Sequence, residues 1–364
     1  MLKSCSKCLL SEHITGVQIG VDSVCNYCSA YIPFSSIKKS KLLRQFEKAK
    51  KKGRIYDALV PLSGGKDSSY VLYLAVKKYK LKVLTYTFDN GFMSELSRTN
   101  INSAIKTCEV DHIWIKHDTR LLYELYRTAL INSGEICGIC GIGIERSMLK
   151  ISATWRIPLI LLGHSPTEQN SFTSENIYDQ SRLKAILREN SNIDKDMISR
   201  FLIYPKLNYI SSYLYTKLGR FGKKINILYY ENLPSDKEIG VIIKHEMNWK
   251  DASKSEYTRH MDCLAEPFTN YIREKRFGFS RRLPQLSNMI RTNEITRKEA
   301  IEIYRNDNKN ELPANYELIK NALNLKENDI AEIVKIPDNM NKYQLSIANI
   351  IFAAIRRLVK NNGH

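Results

Sequence analysis

Apolar residues along this chain fall into two spacings. Short runs rich in β-branched and aromatic residues alternate with longer stretches where apolar positions recur every three or four residues. The short run Tyr56–Leu62 reads as a buried parallel strand, and Val83–Phe88, His112–Ile115 and Ile157–Leu162 read as further strands of the same sheet. A further run, Ile227–Tyr230, is expected to add one more short strand. Helical spacing marks Lys38–Gly53, Tyr70–Tyr79, Ser97–Thr107, the stretch through Met148 and Ile151, and Pro234–Asn248. Strands alternating with helices predict an α/β fold, a doubly wound parallel sheet.

Outside that alternation the pattern changes twice. Glu168–Asn226 is polar with little sheet signal and reads as an insertion or lid. Beyond Trp249 the chain is expected to be helical to about Asn361. That region includes a basic turn at Gly278–Arg282, a capping-box spacing at Thr296–Glu299 and an amphipathic helix at Leu345–Leu358. The N-terminus carries Cys5-x2-Cys8, sixteen residues, then Cys25-x2-Cys28, the spacing of two knuckles that share one tetrahedral zinc ion. With four protein ligands the site would have no open position, so its role is structural. Three parts are expected: a zinc-binding segment at 1–35, a sheet domain at 36–248 and a helical region at 249–364.

The strand ending at Leu62 runs straight into Ser63-Gly64-Gly65-Lys66-Asp67-Ser68-Ser69 and then into a helix. A strand, a glycine turn and a helix N-terminus together present bare N–H groups and the positive end of a dipole to an anion. The glycines allow close approach, Ser63, Ser68 and Ser69 add hydroxyl donors, and Lys66 adds a positive charge. The spacing is not that of a Walker loop, which has four residues between its first glycine and Gly-Lys. The other strand ends border the same crevice. They supply Asp89, a nucleotide or metal contact or else a turn former, and Gly163-His164, with His164 either ligand-facing or structural. Cys137 and Cys140, among glycines at a helix start, read as functional thiols or as buried small hydrophobes.

Composition adds constraints. No apolar run is long enough to span a bilayer, and Met1–Lys7 is polar, so a cytoplasmic protein without a membrane partner is expected. Eight cysteines in a reducing compartment then suit metal ligands or reactive thiols better than disulfides. The formal charge of +18 suits phosphorylated substrates and permits nucleic acid, although no basic block with interleaved aromatics stands out beyond Lys50-Lys51-Lys52.

Ser63–Ser69 resembles the pyrophosphate-binding PP-loop of enzymes that split ATP into AMP and pyrophosphate while adenylating a substrate. A longer resemblance, to the N-acetyl sugar amidotransferases of surface-polysaccharide (LPS, O-antigen) biosynthesis, rests on three further pieces. These are the paired CxxC motifs, Gly163-His164-Ser165, and GFSRRLPQLSNMIRTNEITRKEAIEIY at Gly278–Tyr304. It implies an adenine nucleotide alpha-hydrolase-like sheet with an N-terminal zinc ribbon and a C-terminal helical region. It also implies conversion of a sugar acetamido group to an acetamidino group with ATP, Mg²⁺ and Zn²⁺. Ser63, Gly64, Gly65, Lys66, Asp67, Ser68, Ser69, Asp89, Gly163 and His164 would bind ATP. Lys66 would act in catalysis, and Asp67 would hold Mg²⁺ or cap the helix. Arg281 and Arg282 would grip phosphates of a nucleotide-linked sugar or of ATP. Ammonia would come from glutaminase and ammonia-channelling subunits like those of histidine biosynthesis.

One departure stands out. Cys137, Cys140 and Cys263 together look like the three-cysteine set of PP-loop tRNA thiolases, which hold a [4Fe–4S] cluster. His260 is a candidate fourth ligand if zinc were bound there instead. The alternative is therefore a sulfur transferase acting on tRNA or a small molecule by the same ATP activation. Only Glu168 follows Gly163-His164-Ser165, whereas those thiolases tend to carry paired acidic residues there.

Overall fold

Five parallel strands in the order β3-β2-β1-β4-β5 form the centre of the computed structural model. The structure describes residues 3–14, 16–165, 180–189, 214–251, 262–307 and 312–336, with single positions 193, 194, 196, 198, 201 and 351. The expected helix at Leu345–Leu358 (except position 351), His260, Glu168 and much of the polar insertion lie outside them.

After helix α1 (Lys39–Lys50) comes β1 (Ala58–Pro61), then α2 (Lys66–Tyr73), which continues as one π-helical stretch over Leu74–Lys78. Next come β2 (Val83–Asp89), α3 (Glu95–Cys108), β3 (Asp111–Lys116), α4 (Thr119–Ser133), α5 (Cys137–Thr154) and β4 (Leu159–Leu162). Helix α6 (Gln180–Arg188), β5 (Lys223–Asn226) and α7 (Asp236–Met247) complete the sheet region. Five helices follow: α8 (Glu266–Phe277), α9 (Arg282–Arg291), α10 (Arg297–Asp307), α11 (Tyr316–Ala322) and α12 (Glu327–Ile333).

The two-residue period of the strands divides the interior into two cores. Leu59, Leu84, Tyr86, Phe88 and Ile160 face a cluster shared with α4, α5, α6, α8, α11 and α12. Ala58, Val60, Leu62, Val83, Leu159 and Leu161 face the other, built with α1, α2, α3 and α7. Strands β1, β2 and β4 are therefore covered on both sides, as an apolar parallel strand requires, while β3 and β5 form the half-exposed edges. Local signals set several helix starts. Ser94 Oγ accepts from the Ser97 N–H, Asp118 Oδ1 from the Leu121 N–H, and Ser235 with Glu238 forms a capping box.

Two elements differ from the sequence reading. The fifth strand is Lys223–Asn226, paired with β4, whereas Ile227–Tyr230 is a 3₁₀ turn. As an edge strand, β5 buries only Ile225, so backbone pairing defines it rather than an apolar run. The apolar ILYY segment instead buries Ile227 and Leu228 under the sheet. Helix α4 also forms where no element was assigned, with Leu122, Leu125, Tyr126, Ala129 and Leu130 on its buried face.

A pH effect arises in β3. The His112 ring accepts or donates at Thr85 Oγ1, 2.8 Å from Nδ1, while its buried Nε2 has no partner. Burial pushes its pKa down to about 4. The unfolded chain then binds the extra proton first, so this group's contribution falls as pH drops from about 6.5 to about 4. In thermal unfolding, His112→Phe is expected to lose less stability across that window than the parent protein.

Candidate functional site

Strand order reverses between β1 and β4, and the crevice at such a switch point is where open α/β sheets bind ligands. The Ser63–Ser69 turn fills its β1 side. Gly64 has φ +80°, and a Cβ there would lie 2.4 Å from the Ser97 carbonyl oxygen, so both conformation and space require glycine. The turn is closed by its own serines. The Ser63 N–H donates to Ser68 Oγ (3.2 Å), the Gly65 N–H to Ser63 Oγ (3.3 Å), and Ser68 Oγ to the Gly65 carbonyl (3.1 Å). Ser69 Oγ is buried without a hydrogen-bond partner.

Lys66 opens α2, buried, with Nζ 2.6 Å from both Asp67 Oδ1 and Asp236 Oδ1. Burial opposes its charge, but the Asp67 and Asp236 carboxylates outweigh that and raise its pKa above the ordinary lysine value. Lys66 is therefore a fixed cation under the turn. On the β4 side, a Cβ at Gly163 would sit 3.2 Å from the Asp67 carbonyl oxygen, so this strand end abuts the α2 N-terminus. His164 follows and is exposed. Asp89 ends β2, buried, accepting from the Gly91 N–H (3.0 Å) and pairing with Arg98 (3.0 Å).

Several positioning groups were not singled out in the sequence. Trp249 Nε1–H (2.9 Å) and Asn100 Nδ2–H (3.2 Å) both donate to the Gly64 carbonyl, and Asn100 also ties down the Lys250 backbone. The Asp262 carboxylate lies 3.8 Å from where a Gly65 Cβ would be. Each of these residues is distant in sequence from the turn, so no local motif could reveal them. Trp249→Phe keeps the ring but removes one donor from a buried carbonyl. It is expected to cost about 1 kcal/mol in denaturant unfolding.

A second cluster lies beside the turn. Cys263 bridges to Met93 and accepts from Asn90 Nδ2 (3.5 Å). Burial first, then the neighbouring Cys263 and Cys137, push the Cys140 thiol up, and burial pushes Cys263 up to about 12. Cys137, Cys140 and Cys263 all pack against the core cluster that contains Tyr126, and Cys263, held by Asn90, follows Asp262 at the turn. Arg281 donates to Cys137 Sγ (3.1 Å) and to Glu135 Oε2 (3.1 Å), and Arg273 holds Glu135 Oε1 (2.6 Å). Arg282 lies elsewhere: it is buried and paired with Asp307 (2.9 Å) and Gln285 (2.8 Å), inside the C-terminal helices.

The N-terminal cysteines form a third site. Among the described residues, Cys5, Cys8, Cys25 and Cys28 alone bring three or more potential ligand atoms within 4.8 Å of one another. Tetrahedral bonds of about 2.3 Å place sulfurs about 3.8 Å apart, and Cys8 Sγ lies 3.7 Å from Cys25 Sγ. Backbone N–H groups of Cys8, Leu10, Cys25 and Cys28 point at these sulfurs, at 3.2–3.5 Å, which favours thiolate. The donor set fits one zinc-sized ion. This ribbon packs on the C-terminal helices through Phe279 and Leu283, with Arg297 donating to the Cys5 and Cys8 carbonyls.

Residues 254–356 match the model of the LPS biosynthesis protein WbpG-like, C-terminal domain. An uncharacterized protein from Methanocaldococcus jannaschii is 29% identical over 115 residues, 32% of this chain, and the chain spans 40% of that relative's length. Among solved structures, NMN synthetase from Francisella tularensis aligns with TM-score 0.31 and 12% identity, over 75% of this chain and 92% of that one.

Proposed function

We propose that this chain, whose residues 254–356 are similar to a domain of LPS biosynthesis proteins, is an ATP-dependent, AMP-forming amidotransferase acting on an N-acetyl sugar. The observation that carries the reading is the serine-closed Gly64-Gly65 turn over buried Lys66, at the switch point of the sheet.

An amide carbonyl is a poor electrophile for ammonia because its oxygen is a bad leaving group. In this mechanism the acetamido oxygen attacks the α-phosphorus of ATP, and the bond to pyrophosphate breaks. Ammonia then adds to the O-adenylyl imidate carbon, and AMP leaves with the former acetamido oxygen. Charge grows on pyrophosphate in the first step. The turn amides, Ser63, Ser68, Ser69 and Lys66 would stabilise it, the serines exchanging the hydrogen bonds that close the turn on itself for bonds to phosphate oxygens. Asp67 and Asp262 are the carboxylates that would hold Mg²⁺ beside the turn, where the ion neutralises phosphate charge. Arg281, partly exposed, is the remaining candidate for a phosphate of a nucleotide-linked sugar. Ammonia would reach the crevice from a separate glutaminase subunit, and zinc would occupy the N-terminal quartet.

The test is pyrophosphate release from ATP with nucleotide-linked N-acetyl sugars, with and without ammonium. Release that needs the sugar, with ammonium yielding an acetamidino product by mass spectrometry, supports the reading. Adenylation of tRNA alone overturns it.

A sulfur transferase remains a second reading, favoured by the grouping of Cys137, Cys140 and Cys263. These sulfurs do not converge as a single ion requires, whereas a [4Fe–4S] cubane spreads its thiolates further apart. The three residues would hold such a cluster, which would leave one iron open to carry sulfur. Iron and labile sulfide in anaerobically purified protein separate the two readings.

A further inference from the structure

We propose that a basic face built from α1 and the end of the α2 π-helix docks on an anionic lipid surface. Lys38–Arg54 holds nine basic side chains and one acidic, and Lys77–Lys82 holds four basic and none acidic. The fold makes these two stretches one surface. The Phe46 and Tyr79 rings pack 4.9 Å apart, Lys50 Nζ donates to the Tyr79 carbonyl (3.0 Å), and Lys39 Nζ lies 5.5 Å from the Tyr79 ring centre. Leu42, Phe46 and Ala49 face inward, which leaves the charged positions outward. Glu231 pairs with Lys78 and approaches Lys39. Among the described residues no ion pair engages Lys41, Arg44, Lys48, Lys51 or Lys80, all exposed.

Exposed apolar side chains lie within this basic stretch and at its two ends in the chain, and they decide the partner. Leu43 stands exposed on α1, Ile32 and Ile37 precede the helix, and Ile55 follows it at 68% exposure. Aliphatic groups among lysines have no use against a phosphodiester backbone, where stacking aromatics would be expected. At a lipid interface they enter the acyl boundary while lysines meet anionic headgroups. Such a surface needs no spanning helix, and no described helix is long and apolar enough to cross a membrane. This inference replaces the expectation of no membrane partner. Orientation fits as well: the face lies at the far end of the α2 helix from the phosphate turn, roughly 20 Å away at about 1.5 Å per residue. The crevice would stay open to dissolved substrate.

The test is cosedimentation of the full chain with vesicles of one part phosphatidylglycerol to three parts phosphatidylcholine, and with phosphatidylcholine alone. Binding is expected to the first and not the second, and to weaken with salt. Changing Lys41, Arg44, Lys48 and Lys51 together to Gln should lower partitioning more than a hundredfold, at about fivefold per charge. Changing Leu43 and Ile37 to Asn should weaken binding while keeping its salt dependence. Thermal unfolding of both variants should match the parent. Absence of binding to the anionic vesicles overturns the proposal. So does vesicle binding unaffected by the Leu43 and Ile37 changes, or preference for a random oligonucleotide over the vesicles. No catalytic assay enters, so this result stands apart from the proposed reaction.

Discussion

Lys66→Met is expected to lower AMP-forming turnover by about 10²–10³-fold, with a much smaller change in KM. Two carboxylates hold Lys66 beneath the turn, and burial keeps water from replacing it. In the proposed reaction its charge would be of most use when pyrophosphate departs, so its loss would fall on the transition state rather than on ATP binding. Methionine preserves the length and apolar stem of the side chain, which limits the stability cost. Asp67 and Asp236 are partly exposed and can rehydrate, so unfolding should become easier by only about 1 kcal/mol. The check is steady-state pyrophosphate release beside denaturant unfolding. Turnover within threefold of the parent would remove Lys66 from the chemistry.

Stripping metal from the N-terminal cysteines, or Cys25→Ser, is expected to unfold the ribbon and loosen the C-terminal helices with it. Cys5, Cys8 and Cys25 are buried in one small cluster with Leu10, Ile14, Val17 and Val24, and that cluster borrows Phe279 and Leu283 from the other end of the chain. A segment of this size would depend on the ion that the quartet fits for its folding. Its loss also takes the Cys5 and Cys8 carbonyls from Arg297 and the Leu9 N–H from Ser287 Oγ. A loss of several kcal/mol should appear as a fall in Tm of ~10 °C. New proteolytic cuts are expected before residue 30 and around Phe279. Metal analysis should find zinc at about one per chain. Unchanged Tm and cleavage after chelation would contradict this account.

These two sites were legible because each is written locally. Four cysteines at knuckle spacing, and two glycines, three serines and a lysine between a strand and a helix, need no distant residue to be read. Strands β1, β2 and β4 were legible for the same reason, since burial on both faces demands continuous apolar runs, whereas edge strand β3 showed only as the short run His112–Ile115. Strand β5 was not, because an edge strand needs only Ile225 inside while its lysines face water. Long-range partners were also hidden. Trp249 and Asn100 meet on the Gly64 carbonyl, and Asp236 meets Lys66, only after the chain has crossed the sheet. Arg281 and Arg282 show the limit most sharply. Adjacent in sequence, one reaches Cys137 and Glu135 beside the crevice, while the other is buried against Asp307. Helical geometry separates them, and a motif cannot tell them apart.

The most direct measurement follows one atom. A nucleotide-linked N-acetyl sugar carrying heavy oxygen in its acetamido carbonyl is turned over with ATP and ammonium, and AMP is analysed by mass spectrometry. The account predicts that the label leaves the sugar and appears in AMP, one label for each acetamidino group formed. Label retained in the sugar while ATP is split to AMP would contradict adenylation of that oxygen, and with it the proposed reaction.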